Sequence, residues 1–295
     1  MNSDSVTALT SILDVLPDYD VFLIDQWGVL HEGHAVYPGA HEALREIKQA
    51  GKTTLILTNS SKSNLVNANR LERQFGIGSD CYDHIVSSAH YLIEALVRNP
   101  ASVWPGFAGS SPRAFVLADG RDIAIVEESG LACAPDIAEA DYVLLLSVPP
   151  GEGSADHEHW IPDAIRRGLP LVCPSADLHS VSVKGLVNGL ESIVSAYARG
   201  GGSFVNFGKP SSSIYEVVRS LTDCPAPARV LAIGDQTGSD IAGAKLEGYH
   251  SLLVLTGAGT ARLGTGDLEK AAGIVDAPAF PEAERPHYIM TSLKP

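Results

Sequence analysis

The chain has 295 residues, 45% of them hydrophobic and 19% charged, enough for two modest domains or one large α/β unit with a core of full size. Its formal net charge of −14, with no dense Lys/Arg run, argues against a general nucleic-acid or anionic-membrane surface, since both require a positive footprint. The 4 cysteines (Cys81, Cys133, Cys173 and Cys224) are far apart and form no CxxC or Cys/His ligand spacing. That argues against a zinc site and a disulfide scaffold and predicts a reduced, cytoplasmic setting. The first twenty residues lack a basic start and an apolar core, so no signal peptide is expected, and no apolar run approaches the length of a membrane span.

Short β-branched apolar runs alternate with segments of helical period, which predicts βαβ units and a parallel sheet. The first strand is VFLID at 21–25, ending in Asp25 and followed by Gln26, Trp27 and Gly28. A helix over about 39–50 follows. The second strand is TTLILT at 53–58, ending in Asn59, Ser60 and Ser61, where small polar residues suit a helix start. The next helix runs over about 63–75 and is closed by Gly76. Near the C-terminus, RVLAI at 229–233 leads into Gly234 and Asp235, and SLLVL at 251–255 leads into Thr256 and Gly257. Asp25, Thr58, Asp235 and Thr256 thus all stand at carboxyl ends of strands, where open α/β sheets bind ligands.

Between these halves lie candidate strands at 114–118, 123–126, 142–147 and 169–173, flanked by turn-rich stretches at 105–112 and 200–203. This middle part reads as an inserted domain. The expected organisation is a Rossmann-like core over 1–84 and 204–295, with an α/β domain inserted over 85–203.

Asp25 and Asp235 are expected to meet across neighbouring strand ends. Such a pair repels itself unless a cation sits there, and carboxylate oxygens favour Mg²⁺. An ionised aspartate could then attack a phosphate ester, with Thr58, Asn59 and Ser60 binding the phosphoryl oxygens and Lys209 neutralising charge. Other patterns fail. Gly202 to Gly208-Lys209 has the wrong spacing for a Walker A loop and Pro210 in its Ser/Thr position, and Gly257-Ala258-Gly259 lacks the third glycine of a dinucleotide fingerprint. His157-Glu158-His159 is too short for a zincin motif and reads as solvated loop.

The segments IDQWGVL at 24–30, LTNSS at 57–61, GKP at 208–210 and GDQTGSDIAGA at 234–244 resemble, in order, the four motifs of haloacid dehalogenase-like hydrolases. Insertion of the middle domain between the second and third motifs resembles the class with an α/β (C2-type) cap, subgroup IIA, which includes NagD-like sugar and nucleotide phosphatases. The resemblance implies Asp25 as nucleophile and metal ligand, the Trp27 backbone carbonyl and Asp235 as further ligands, and Asp240 holding a metal-bound water or orienting its neighbours. It implies Thr58 and Lys209 as phosphate holders, and Asp177 in a substrate-facing loop of the cap. The substrate would be a small phosphorylated metabolite, hydrolysed through an aspartyl-phosphate, and the resemblance leaves a homodimer through the cap open.

One departure stands out. Where the family's phosphatases carry a second, proton-transferring aspartate, this chain has Trp27, and indole has no exchangeable acid proton near neutral pH. Three consequences stay open: another acid such as His31, Glu32 or a cap residue replaces it; the substrate has a good leaving group; or the chain binds phosphate ligands without fast turnover.

Overall fold

The computed structural model describes residues 5–108, 110–120, 122–148, 159–175, 179–182, 185–188, 190–223 and 226–295. Asp177, Cys224, His157 and Glu158 lie outside the described residues. The strands, in chain order, are β1 (Thr7–Ala8), β2 (Val21–Ile24), β3 (Thr53–Thr58), β4 (His84–Ser87), β5 (Ala114–Leu117), β6 (Tyr142–Leu145), β7 (Leu171–Cys173), β8 (His179–Ser182), β9 (Gly185–Asn188), β10 (Phe204–Asn206), β11 (Val230–Gly234), β12 (His250–Val254) and β13 (Tyr288–Met290). A wholly parallel 7-stranded sheet has the order β1-β13-β12-β11-β2-β3-β4, and a parallel 4-stranded sheet has the order β10-β7-β6-β5. β8 and β9 form a separate antiparallel pair.

In the first sheet, β2 and β11 bury every residue and β3 and β12 all but their first, because helices cover both faces. That is why these strands read as unbroken apolar runs. The helix Ala40–Gln49 buries Ala40, Ala43, Leu44 and Ile47, one face at helical spacing. The helix Asn64–Phe75 starts on Ser63, whose hydroxyl accepts from the Val66 N–H, and ends on Gly76 at φ +67°. Chain order runs outward from β2 to β3 and β4, then returns to the other side of β2 as β11. The gap between the ends of β2 and β11 is therefore the topological switch point of the sheet.

Two expectations change. The run at 123–126 forms the helix Ala124–Glu127, not a strand. β4 belongs to the first sheet and β10 to the second, so the expected boundary at 84/85 falls inside β4 and that at 203/204 separates β10 from its sheet, while the helix Ser88–Arg98 packs with the first sheet. Each unit has a buried cluster of its own, and a further cluster is shared between them. Ala114, Val126, Tyr142 and Val172 of the second unit join Leu55, Val86 and Leu92 of the first in one buried cluster. No helix among the described residues is long and apolar enough to cross a membrane.

Candidate active site

β2 and β11 pair in parallel with Ile24 opposite Ile233, and the Asp25 N–H donates to the Ile233 carbonyl at 2.9 Å. This register carries Asp25 and Asp235 out of the sheet side by side. Asp240 arrives from a single turn of π-helix, Thr237–Ile241, directly after β11. Lys209 arrives from the loop following β10. All four side chains are buried, with Asp25 8%, Lys209 3%, Asp235 1% and Asp240 4% exposed.

Lys209 ties the cluster together. Its Nζ donates to Asp25 Oδ1 at 2.6 Å, to Asp240 Oδ1 at 2.6 Å and to the Leu57 carbonyl at 2.9 Å, satisfying all three ammonium hydrogens. Burial acts against the ammonium, but Asp240 and Asp25 together overcome it and keep Lys209 charged. Asp240 uses its other oxygen to accept from the Gln236 N–H at 3.1 Å.

Asp235 is placed differently. Its Oδ2 accepts from the Ala258 N–H at 2.6 Å, while its buried Oδ1 has no hydrogen-bond partner. Burial, and then the charges of Asp25 and Asp240, push its carboxyl well above the ordinary range. Burial likewise raises Asp25 to about 7, outweighing the pull of Lys209. One carboxylate oxygen from each of Asp25, Asp235 and Asp240 lies within 4.8 Å of the others. Three hard oxygen donors, one of them orphaned in the interior, fit a divalent cation.

Two glycines make this approach feasible. A Cβ on Gly28 (φ +92°) would stand 2.1 Å from Asp235 Oδ2, and one on Gly257 (φ +51°) would meet the same atom at 2.1 Å. Both positions combine a left-handed backbone with contact against the carboxylate, so only glycine fits.

The turn after β3 carries Thr58, Asn59 and Ser60, but their side chains are not equivalent. Thr58 is buried at the strand end. The Asn59 amide is committed to Lys209: its Nδ2 donates to the Lys209 carbonyl at 3.0 Å, and its Oδ1 accepts from the Lys209 N–H at 2.9 Å. Ser60 Oγ accepts from the Lys62 N–H at 3.1 Å. Asn59 is thus first a positioning residue for Lys209, a role the sequence reading missed. Ser88, whose hydroxyl donates to Asn59 Oδ1 at 2.9 Å, and Asn206, whose amide donates to the Gly208 carbonyl at 3.1 Å, complete the support. An asparagine two residues before Gly208-Lys209 was the available signal for Asn206.

Trp27 stands two residues beyond Asp25, partly exposed, in the loop leaving β2. Its indole packs on Gly33, where a Cβ would lie 2.6 Å from the ring. His31 is buried and stacks on Phe75, with ring centroids 4.2 Å apart. Its Nδ1 accepts from the Gly33 N–H at 3.0 Å, and its Nε2 lies 3.1 Å from the Gln26 side-chain amide. Burial, aided by Arg70, lowers its pKa to about 4, so the ring is neutral. Glu32 is exposed and pairs with His34 at 3.1 Å.

Comparison with known proteins agrees with this geometry. The family model described as haloacid dehalogenase-like hydrolase matches residues 22–132, and a second, HAD-hydrolase-like model matches residues 206–294. The chain belongs to the haloacid dehalogenase-like hydrolases. Within them it is a phosphatase-type hydrolase. It is 25% identical over 265 residues to the sugar-phosphatase AraL of Bacillus subtilis, covering 83% of this chain and 87% of that one. A haloacid dehalogenase-like hydrolase from Brucella suis superposes with a TM-score of 0.76 at 23% identity, over 97% of this chain and 99% of the other. A glycerol phosphate phosphatase from Mycobacterium tuberculosis, solved in complex with magnesium, superposes with a TM-score of 0.68 at 25% identity, over 95% of this chain and 77% of that one.

Proposed function

We propose that this chain is a Mg²⁺-dependent phosphatase of small phosphorylated metabolites, of the sugar-phosphate or nucleotide-phosphate class, with Asp25 as nucleophile. The observation that carries the reading is the buried cluster in which Lys209 clamps Asp25 and Asp240 while Asp235 Oδ1 is left without a partner. The sugar-phosphatase and the magnesium-bound glycerol phosphate phosphatase support the substrate class and the metal.

Asp25, Asp235 and the Trp27 backbone carbonyl would hold Mg²⁺, with Asp240 behind them. Bound there, the ion supplies charge neutralisation between the carboxylates and a phosphate dianion. Lys209 fixes one oxygen of Asp25, so the carboxylate is oriented before substrate arrives. Asp25 forms a bond to phosphorus as the bond to the leaving oxygen breaks, giving an aspartyl-phosphate. Water then attacks that phosphorus, releasing inorganic phosphate and returning the Asp25 carboxylate. Thr58, with backbone N–H groups of the turn over 58–60, binds the phosphoryl oxygens, and Lys209 offsets the charge that builds on them. Substrate choice lies with the inserted unit, whose Pro174 carbonyl already accepts from the Gly208 N–H at 2.9 Å, one residue from Lys209.

A second reading, a phosphate-ligand binding protein with weak turnover, is favoured by one observation: Trp27 is packed on Gly33 in the place of the family's acid–base aspartate. A Mg²⁺-dependent screen over aryl, sugar, nucleotide and acyl phosphates, with Asp25→Asn as control, separates the two. Metal-dependent turnover lost in Asp25→Asn is expected. Turnover that survives Asp25→Asn sinks the nucleophile assignment, and tight binding of one phosphate compound with no turnover of any selects the second reading.

A further inference from the structure

We propose that Asp122, a residue of the inserted unit, is a positioning residue for the phosphate-binding turn of the core. The inference rests on the reading of the turn over 58–60 as that phosphate site.

Asp122 follows β5 of the second sheet and is 4% exposed. A carboxylate so deeply placed is costly unless charged or hydrogen-bonding groups face it. Among the described residues, both of its side-chain partners come from the first unit. The Ser61 hydroxyl donates to Oδ2 at 3.1 Å, and the Lys62 ammonium pairs with Oδ1. These two residues directly follow Thr58, Asn59 and Ser60.

The anchors on the backbone carbonyls of this turn come from its own unit. Ser88 Oγ donates to the Thr58 carbonyl, Ser87 Oγ donates to those of Ser60 and Lys62, the Ala89 N–H donates to that of Ser60, and Asn67 donates to that of Lys62. The backbone is thus pinned from behind by β4 and the helix Ser88–Arg98, while the side chains at 61 and 62 are held by Asp122. The shared buried cluster, to which Val126 contributes from the helix Ala124–Glu127, keeps Asp122 in register with the turn. Asp122 also receives its own backbone support, its N–H donating to the Asp119 carbonyl at 2.7 Å. The inserted unit therefore completes the core's phosphate site as well as covering it. A change in how that unit sits is transmitted to phosphate affinity through one carboxylate.

The test is a substitution cycle on the full chain with Mg²⁺ present: Asp122→Asn, Lys62→Gln and the double variant. Inorganic phosphate binding is read by calorimetry, KM and kcat with an aryl phosphate, and amide hydrogen exchange over 58–63. Asp122→Asn is expected to weaken phosphate binding and raise KM about tenfold, with a smaller change in kcat, because it loosens a binding turn and leaves the nucleophile in place. The double variant is expected to lose no more than the worse single one, since the two side chains act as a unit. Exchange over 58–63 is expected to rise while β2 and β11 stay protected. Ser61→Ala removes one hydrogen bond and leaves the ion pair, so it should give the same signature at lower amplitude and serves if Asp122→Asn does not fold. Unchanged exchange over the turn, or losses that multiply in the double variant, overturns the proposal. If the unaltered chain neither binds inorganic phosphate nor turns over any ester, the phosphatase reading falls separately, and the exchange measurement alone decides the role of Asp122.

Discussion

Lys209 Nζ lies 2.6 Å from Asp25 Oδ1, and the two residues are 184 positions apart in the chain. The contact makes the orientation of Asp25 depend on a side chain that enters from the far side of the inserted unit. It also places the one ammonium between two buried carboxylates, Asp25 and Asp240.

Lys209→Met should therefore damage both activity and stability. Losing a charge aimed at the transferring group costs about 10²–10³ in kcat. Leaving Asp25 and Asp240 buried without their cation should cost about 3–5 kcal/mol in the metal-free protein. Mg²⁺ should recover part of the stability, because it neutralises the same carboxylates, but not the activity. A Lys209→Met protein whose melting temperature and kcat both stay near those of the unaltered chain would remove Lys209 from the site.

The acidity of the cluster gives a second prediction, with a definite sign. In the metal-free fold, burial raises Asp25 to about 7 and Asp235 well above its ordinary value. The folded protein then holds those protons more tightly than the unfolded chain, whose carboxylates titrate near pH ~4. The contribution of Asp25 to stability is complete below that pH and is lost as pH rises through about 7, and Asp235 acts with the same sign. Buried His31, lowered to about 4, acts with the opposite sign, losing stability as pH falls toward that value. A cation binds the ionised carboxylates, so the rise in melting temperature on adding Mg²⁺ should be larger at pH 8 than at pH 5. Comparing each pH with and without metal cancels the histidine contribution. An equal or smaller shift at pH 8 would contradict a carboxylate metal site here.

Much of this cluster was legible in the sequence for a physical reason. Asp25 and Asp235 end unbroken apolar runs, and a charge in that place must sit at the edge of a buried sheet. Lys209 was legible only from its context beside the two aspartates and its motif, since nothing local marks a lysine that will be buried. The Asn59–Lys209 pairing was not legible, because its two hydrogen bonds join residues 150 positions apart. At 123–126 the apolar run is as long as one helical turn, so periodicity cannot distinguish strand from helix, and packing decides for Ala124–Glu127. β4 was missed because only Ile85 and Val86 of its 4 residues are apolar, so the expected boundary at 84/85 falls inside it.

Trp27 sets the last prediction. Its indole is packed on Gly33, its ring centroid is 5.5 Å from that of a neutral His31, and Glu32 is turned outward to His34. Among these residues of the loop leaving β2, none is a buried acid able to protonate a leaving oxygen beside Asp25. Chemistry that lacks this proton transfer depends on the acidity of the leaving group. The ratio of kcat/KM for 4-nitrophenyl phosphate to that for an alkyl phosphate such as glycerol phosphate should therefore be large. Trp27→Asp should raise kcat/KM for the alkyl ester by about 10²–10⁴ and that for the aryl ester much less, shrinking the ratio. The two esters are compared in one protein, so a general loss of stability in the variant cannot imitate the result. Equal rates on both esters in the unaltered chain, or no selective gain on the alkyl ester in Trp27→Asp, would show that the proton comes from elsewhere, and the inserted unit would then be the place to seek it.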